Sequence, residues 1–208
     1  MPAPRPLTIV LAGGQSRRMQ GENKALAEIG GQRMIDRVLD RLRPQSAAIW
    51  LAAADDLGTG LPHVPDNAAG PSGPVGAIRS VAEAAMRAGA RGFVTCPVDA
   101  PFVPHDLVER LAAHAPLAMA RTDSGWQPVF ALWDAGAVLA ALPPERCCER
   151  WSLRRLGEAV GMQPVDFADS MALMNVNTPD DLAWARAHAL DESGKRLGAA
   201  VSTRYSAY

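Results

Sequence analysis

The chain has 208 residues, is 48% hydrophobic and 21% charged, and carries a formal net charge of -1. That balance excludes wholesale disorder and suits a globular chain with one core, or one core with a small extension. A nucleic-acid binder usually shows a basic excess; its absence gives no support to that role, though it leaves room for a local basic site.

Three cysteines, Cys96, Cys147 and Cys148, are odd in number and form no C-x-x-C pair, which argues against a disulfide framework and against a zinc site. The opening "MPAPRPLTIV" lacks the apolar stretch of a secretory signal. No run reaches the roughly 18 apolar residues of a membrane helix. The expectation is a soluble, cytoplasmic protein with no membrane or nucleic-acid partner.

In chain order, "LTIVLAG" is a continuous apolar run ending in glycine, the pattern of a buried parallel strand. "QRMIDRVLDRL" sets Ile35, Val38, Leu39 and Leu42 on one helical face. "AAIWLAAAD" reads as a second strand, "VGAIRSVAEAAMRAG" as a helix ending at Gly89, and "RGFVTCPVDAPF" as a strand entering a proline-rich loop. The helix "HDLVERLAAHA" follows. The second half is less regular: strands over "PLAMART", "QPVFALW" and "MQPVDFA", and a helix over "AGAVLAAL". In "NTPDDLAWARAHAL", Thr178 can cap a helix, Pro179 suits its first turn, and Asp180 and Asp181 complement its dipole. Residues 190–208 are polar without a sustained period and read as a mobile tail. The βαβα rhythm predicts an α/β fold: one domain over residues 1–189, three layers α/β/α, with a Rossmann-like, mostly parallel sheet.

In such a sheet ligands bind beyond the carboxyl ends of the strands. Three segments fall there. In "AGGQSRRMQGENK" the glycines let backbone N–H groups approach phosphate oxygens, and Ser16, Arg17, Arg18 and Lys24 add donors. Neither the dinucleotide pattern nor the Walker pattern is present. The same residues also suit a plain Gly-Gly turn with solvated basic side chains. In "VTCPVDAPF", Asp99 follows an apolar strand between two stiffening prolines, where a carboxylate can hold Mg²⁺ or simply occupy a turn. In "PDNAAGPSGPVGAI", Gly70, Gly73 and Gly76 permit close backbone approach, and Asp66 can accept from a ribose or base donor or cap a turn. Cys96 reads as a buried residue, and His63, His105, His114 and His188 form no ligand set.

"LAGGQSRRM", the lysine in "NKAL", "GPVGAI", "CPVDAPF", "QPVFALW" and "NVNTPDDLA", in that order, resemble the molybdenum cofactor guanylyltransferase family from Leu7 to about Ala189. The first motif is shared with many nucleotidyltransferases; the ordered set is far more specific. The resemblance implies a nucleotidyltransferase-like fold and Mg²⁺-dependent transfer of GMP from GTP to molybdopterin. It implies a GTP-binding half (about 1–105), an acceptor-binding half (about 106–189), and transient contact with proteins that make or receive the cofactor. Carried over by motif, Leu11, Ala12 and Gly13 contact the nucleotide through backbone. Gly14, Arg18 and Lys24 hold the triphosphate, and Asp66 contacts the guanosine. Asp99 binds both metal and nucleotide, and Asn175 and Asn177 lie on the molybdopterin side. The chain departs from the family pattern at Asn23, where aspartate is common, and at "WLAAAD", where an "NAN"-like element is frequent. A related enzyme using CTP or a sugar 1-phosphate, and a non-catalytic nucleotide-binding relative, are the alternatives.

Overall fold

The computed structural model describes residues 5–13, 23–67, 70–168 and 171–189. The first strand is β1 (Leu7–Leu11); when the described chain resumes, a 3-10 turn at Lys24–Leu26 precedes a two-stranded ribbon, β2 (Glu28–Ile29) and β3 (Gln32–Arg33). Then come α1 (Met34–Leu42), β4 (Ala48–Ala52), β5 (His63–Val64), α2 (Pro74–Arg87) and β6 (Gly92–Pro97). The second half supplies α3 (Leu107–Ala112), β7 (Ala118–Thr122), β8 (Gly125–Asp134), α4 (Ala135–Ala141), α5 (Leu153–Val160), β9 (Gln163–Asp166) and α6 (Pro179–His188).

Seven strands form one sheet in the order β5-β4-β1-β6-β8-β7-β9. Strands β5, β4, β1 and β6 run parallel, and β9 runs parallel to β7. β8 alone is antiparallel to both its neighbours, because a tight turn at Asp123–Ser124 folds it back on β7. The expected mostly parallel, three-layer α/β architecture is therefore the observed one.

Side chains alternate across each strand and so feed two cores. Val10, Val94, Cys96 and Phe130 pack beneath α1 and α3. Ile9, Phe93, Ala131 and Trp133 pack beneath α2, α4 and α5. Ile35, Val38, Leu39 and Leu42 are all fully buried on α1, the face their spacing predicts. A third, smaller core joins the ribbon to α6 through Ile29, Met34, Val176, Leu182 and Ala185. Thr178 caps α6 in a full capping box with Asp181, and Pro179 opens its first turn.

The boundaries differ from the sequence reading in places. Gln32 and Arg33 belong to the ribbon, so the first helix starts at Met34. The second strand stops at Ala52, and residues 53–55 bend away. Helix α5 was not expected, although Ser152 caps its start and Gly161, in the left-handed region at φ 78°, ends it. The tail at 190–208 lies outside the described residues.

Candidate active site

The carboxyl ends of β1 and β6 lie side by side and open into a cleft of about 400 Å³. Backbone hydrogen bonds continue past both strands: Ala12 N–H donates to Ala52 O (3.1 Å) and Val98 N–H to Leu11 O (3.1 Å). Gly13 follows so closely against β4 that a Cβ there would lie 3.3 Å from Ala52 O. A larger residue there would need Ala52 O to give way by a few tenths of an ångström.

Asn23 folds the next part of the wall. Its Oδ1 accepts the Ala25 N–H (3.1 Å) and caps the 3-10 turn, which buries Ala25 in the core and turns Lys24 into the cleft. Lys24 Nζ lies 3.8 Å from Asp99 Oδ2 and donates to Val176 O (3.2 Å) and Asn177 Oδ1 (2.9 Å). Val176 N–H donates in turn to Asp99 O at 2.7 Å. Three stretches distant in sequence, at residues 23–25, 99 and 176–177, thus meet at one point.

Asp99 is 18% exposed, and its Oδ1 is buried without a hydrogen-bond partner. Asn175 Oδ1, in the same cleft, is likewise buried and unpartnered. Burial raises the Asp99 carboxyl above the usual carboxylate range, and the Lys24 charge offsets part of that. Two buried oxygens without donors are a costly arrangement for protein alone. They suit a hard divalent cation, which takes oxygen ligands and completes its shell from phosphates and water. Among the described residues no group of three or more His, Cys, Asp or Glu could hold a metal by itself.

Of the residues singled out from sequence, Leu11, Ala12, Gly13, Lys24, Asp99, Asn175 and Asn177 all line this cleft. Gly14 and Arg18 lie outside the described residues. Asp66 is exposed beyond β5 and is not among the lining residues. The glycines of the third segment serve their own loop first: a Cβ on Gly76 would lie 2.0 Å from Pro71 O. Asp55 and Asp56 are engaged locally, accepting N–H groups of Leu57, Gly58 and Gly60. Cys96 is fully buried, and burial with the nearby Asp99 charge pushes its thiol well up, as expected of a core residue rather than a nucleophile. Pro74 and Val129 also line the cleft; they fall within "GPVGAI" and "QPVFALW", although neither residue is singled out there.

This sheet order, with a polar cleft past β1 and β6, is that of a nucleotidyltransferase. Residues 8–160 match the family described as MobA-like NTP transferase domain. The chain is 42% identical over 182 residues to the molybdenum cofactor guanylyltransferase of Rhodobacter capsulatus, covering 85% of this chain and 93% of that one. It is 36% identical over 191 residues to the enzyme of the same name from Cereibacter sphaeroides, with the same coverages. Among solved structures, molybdopterin-guanine dinucleotide biosynthesis protein A from Archaeoglobus fulgidus superposes with a TM-score of 0.65 at 21% identity, covering 86% of this chain and 96% of that one. The 2-C-methyl-D-erythritol 4-phosphate cytidylyltransferase of Thermus thermophilus gives 0.62 at 18%, covering 88% and 98%; both likenesses concern the fold. The chain belongs to the MobA-like NTP transferase family.

Proposed function

We propose that the chain transfers GMP from GTP to the terminal phosphate of molybdopterin, forming molybdopterin guanine dinucleotide and releasing pyrophosphate. The observation that carries this reading is the meeting of Lys24, Asp99 and Asn175 in one cleft, in a chain 42% identical to a named guanylyltransferase over 93% of its length.

In the proposed reaction an acceptor phosphate oxygen attacks the α-phosphorus of GTP, and the bond from that phosphorus to the β-phosphate bridge breaks. The attacking oxygen is already ionised at neutral pH, so no general base is required. Positioning and charge neutralisation are what the protein must supply. Lys24, with Gly14 and Arg18, holds the triphosphate. The N–H of Ala12 is engaged by Ala52 O, so a backbone contact from Ala12 to the nucleotide uses its carbonyl. Asp99 and the Asn175 carbonyl oxygen hold Mg²⁺, which when bound neutralises charge on the triphosphate and the leaving pyrophosphate. Asn177 faces the molybdopterin side, and Asp66 takes part in guanosine binding. Residues up to about 105 form the GTP half and those from about 106 to 189 the acceptor half. The setting is cytoplasmic, with transient contact to proteins that make or receive the cofactor.

Ala52, Ala53 and Ala54 offer a base no polar side chain at the end of β4. Base selectivity is therefore the sharpest test. Pyrophosphate release is measured with molybdopterin and each of GTP, CTP, ATP and UTP. GTP is expected to dominate; a preference for CTP would overturn the guanine assignment, and GTP binding without pyrophosphate release would indicate a non-catalytic relative.

A further inference from the structure

The cleft contains a link between its two ends that neither the sequence motifs nor the chemistry of transfer requires. Lys24 and Asn177 are 153 positions apart, yet the ammonium donates to the Asn177 side chain at 2.9 Å and to the adjoining Val176 carbonyl at 3.2 Å. An ammonium has three N–H donors. Two are directed at residues 176 and 177, and Asp99 Oδ2, at 3.8 Å, stands outside hydrogen-bond distance. We infer that Asn177 is a positioning residue for nucleotide binding: with the Val176 carbonyl it holds the Lys24 ammonium beside Asp99, leaving one N–H for a phosphate oxygen. This rests on the reading of Lys24 as a triphosphate contact.

Three features support the role. Lysine has a flexible four-carbon stem, so an unheld head group must be ordered at the moment of binding; held in advance, it loses less freedom. Asn177 is neutral, so it fixes Lys24 without cancelling the positive charge that a triphosphate meets. A carboxylate at that position would do the first and defeat the second. Asn177 is itself fixed, because Asp181 Oδ2 accepts both its N–H (2.9 Å) and that of Thr178 (2.8 Å). Both ends of the link also share one anchor: Val176 and Leu182 pack with Ile29 and Met34 of the segment that follows Lys24.

The test is a double-mutant cycle on GTP affinity, measured by calorimetry with Mg²⁺ and no acceptor, on the full chain. Asn177→Ala removes an exposed amide but leaves the backbone bonds to Asp181, so the fold is retained. It is expected to weaken GTP binding about fivefold to tenfold, the scale of having to order one long side chain on binding. Lys24→Ala should weaken it further, and the double variant should match Lys24→Ala within about twofold, because a positioning residue has nothing left to position. In steady state, Asn177→Ala should raise the KM for GTP more than that for molybdopterin. Additive losses would overturn the inference, as would unchanged or tighter GTP binding by Asn177→Ala, or a change confined to the KM for molybdopterin. If Lys24→Ala alone leaves GTP affinity intact, the role of Lys24 fails first and the inference falls with it. An additive cycle with a weakened Lys24→Ala overturns the inference alone.

Discussion

Strand β6 and the loop just past it carry two polar side chains four residues apart in sequence, one buried and one partly buried, and their surroundings differ. Thr95, in the middle of the strand, donates to Ala131 O (3.3 Å) and accepts the indole N–H of Trp133 (3.0 Å). Asp99, just past the strand's end, has one carboxylate oxygen buried with no partner. A core tolerates polar atoms when they are satisfied, and the Thr95–Trp133 pair meets that condition between sheet and helices. An unsatisfied carboxylate is retained where a ligand completes it. The contrast is between a group satisfied within the fold and one whose partner, on the proposed function, is a ligand.

The largest effect should come from the second kind of site. Asp99→Ala is expected to lower turnover by about 10³-fold or more, the scale of losing a charge-stabilising group, while thermal unfolding stays cooperative. Near-normal turnover would place Asp99 among ordinary loop residues. Next, Lys24→Ala should weaken GTP binding about tenfold to a hundredfold; unchanged affinity would mean that the lysine only ties the chain segments together. Thr95→Val inverts the pattern. It leaves the Trp133 N–H buried without an acceptor and should cost about 1–3 kcal/mol of stability, read from denaturant unfolding, with kcat unchanged. A loss of turnover without loss of stability would blur the distinction.

The smallest effect concerns pH in metal-free buffer. Burial raises the folded-state pKa of Asp99 above its unfolded value. The folded state therefore binds the proton more tightly, and stability falls as pH rises from the unfolded value to the folded one, remaining lower above it. Asp99→Asn removes that ionisation, so with EDTA at neutral pH it should show a slightly higher Tm than wild type. The difference should vanish in acid. A lower Tm at neutral pH would mean that the Lys24 attraction outweighs burial.

How much of this was legible in the sequence depends on the distance between partners. Strand β1 and helices α1, α2 and α6 were readable because apolar period and capping residues act locally. The α/β class followed from their alternation. Motif order was enough to single out Lys24, Asp99, Asn175 and Asn177, all of which line the cleft. Two-residue strands such as β2 and β3 carry no period and could not be foreseen. Helix α5 was missed despite readable end signals at Ser152 and Gly161. Asn23 stands out in sequence only as a departure from the family pattern; its work as the cap of the Lys24 turn depends on where its side chain folds. The Lys24–Asn177 bond and the orphaned oxygens have no sequence signal, since both depend on where distant loops meet.

On the proposed function, the unpartnered Asp99 oxygen is a cation ligand awaiting nucleotide. The most direct measurement is GTP affinity with Mg²⁺ and with EDTA, in wild type and in Asp99→Asn. Mg²⁺ should tighten GTP binding to wild type and make little difference to the variant. An equal gain from Mg²⁺ in both proteins would contradict the account.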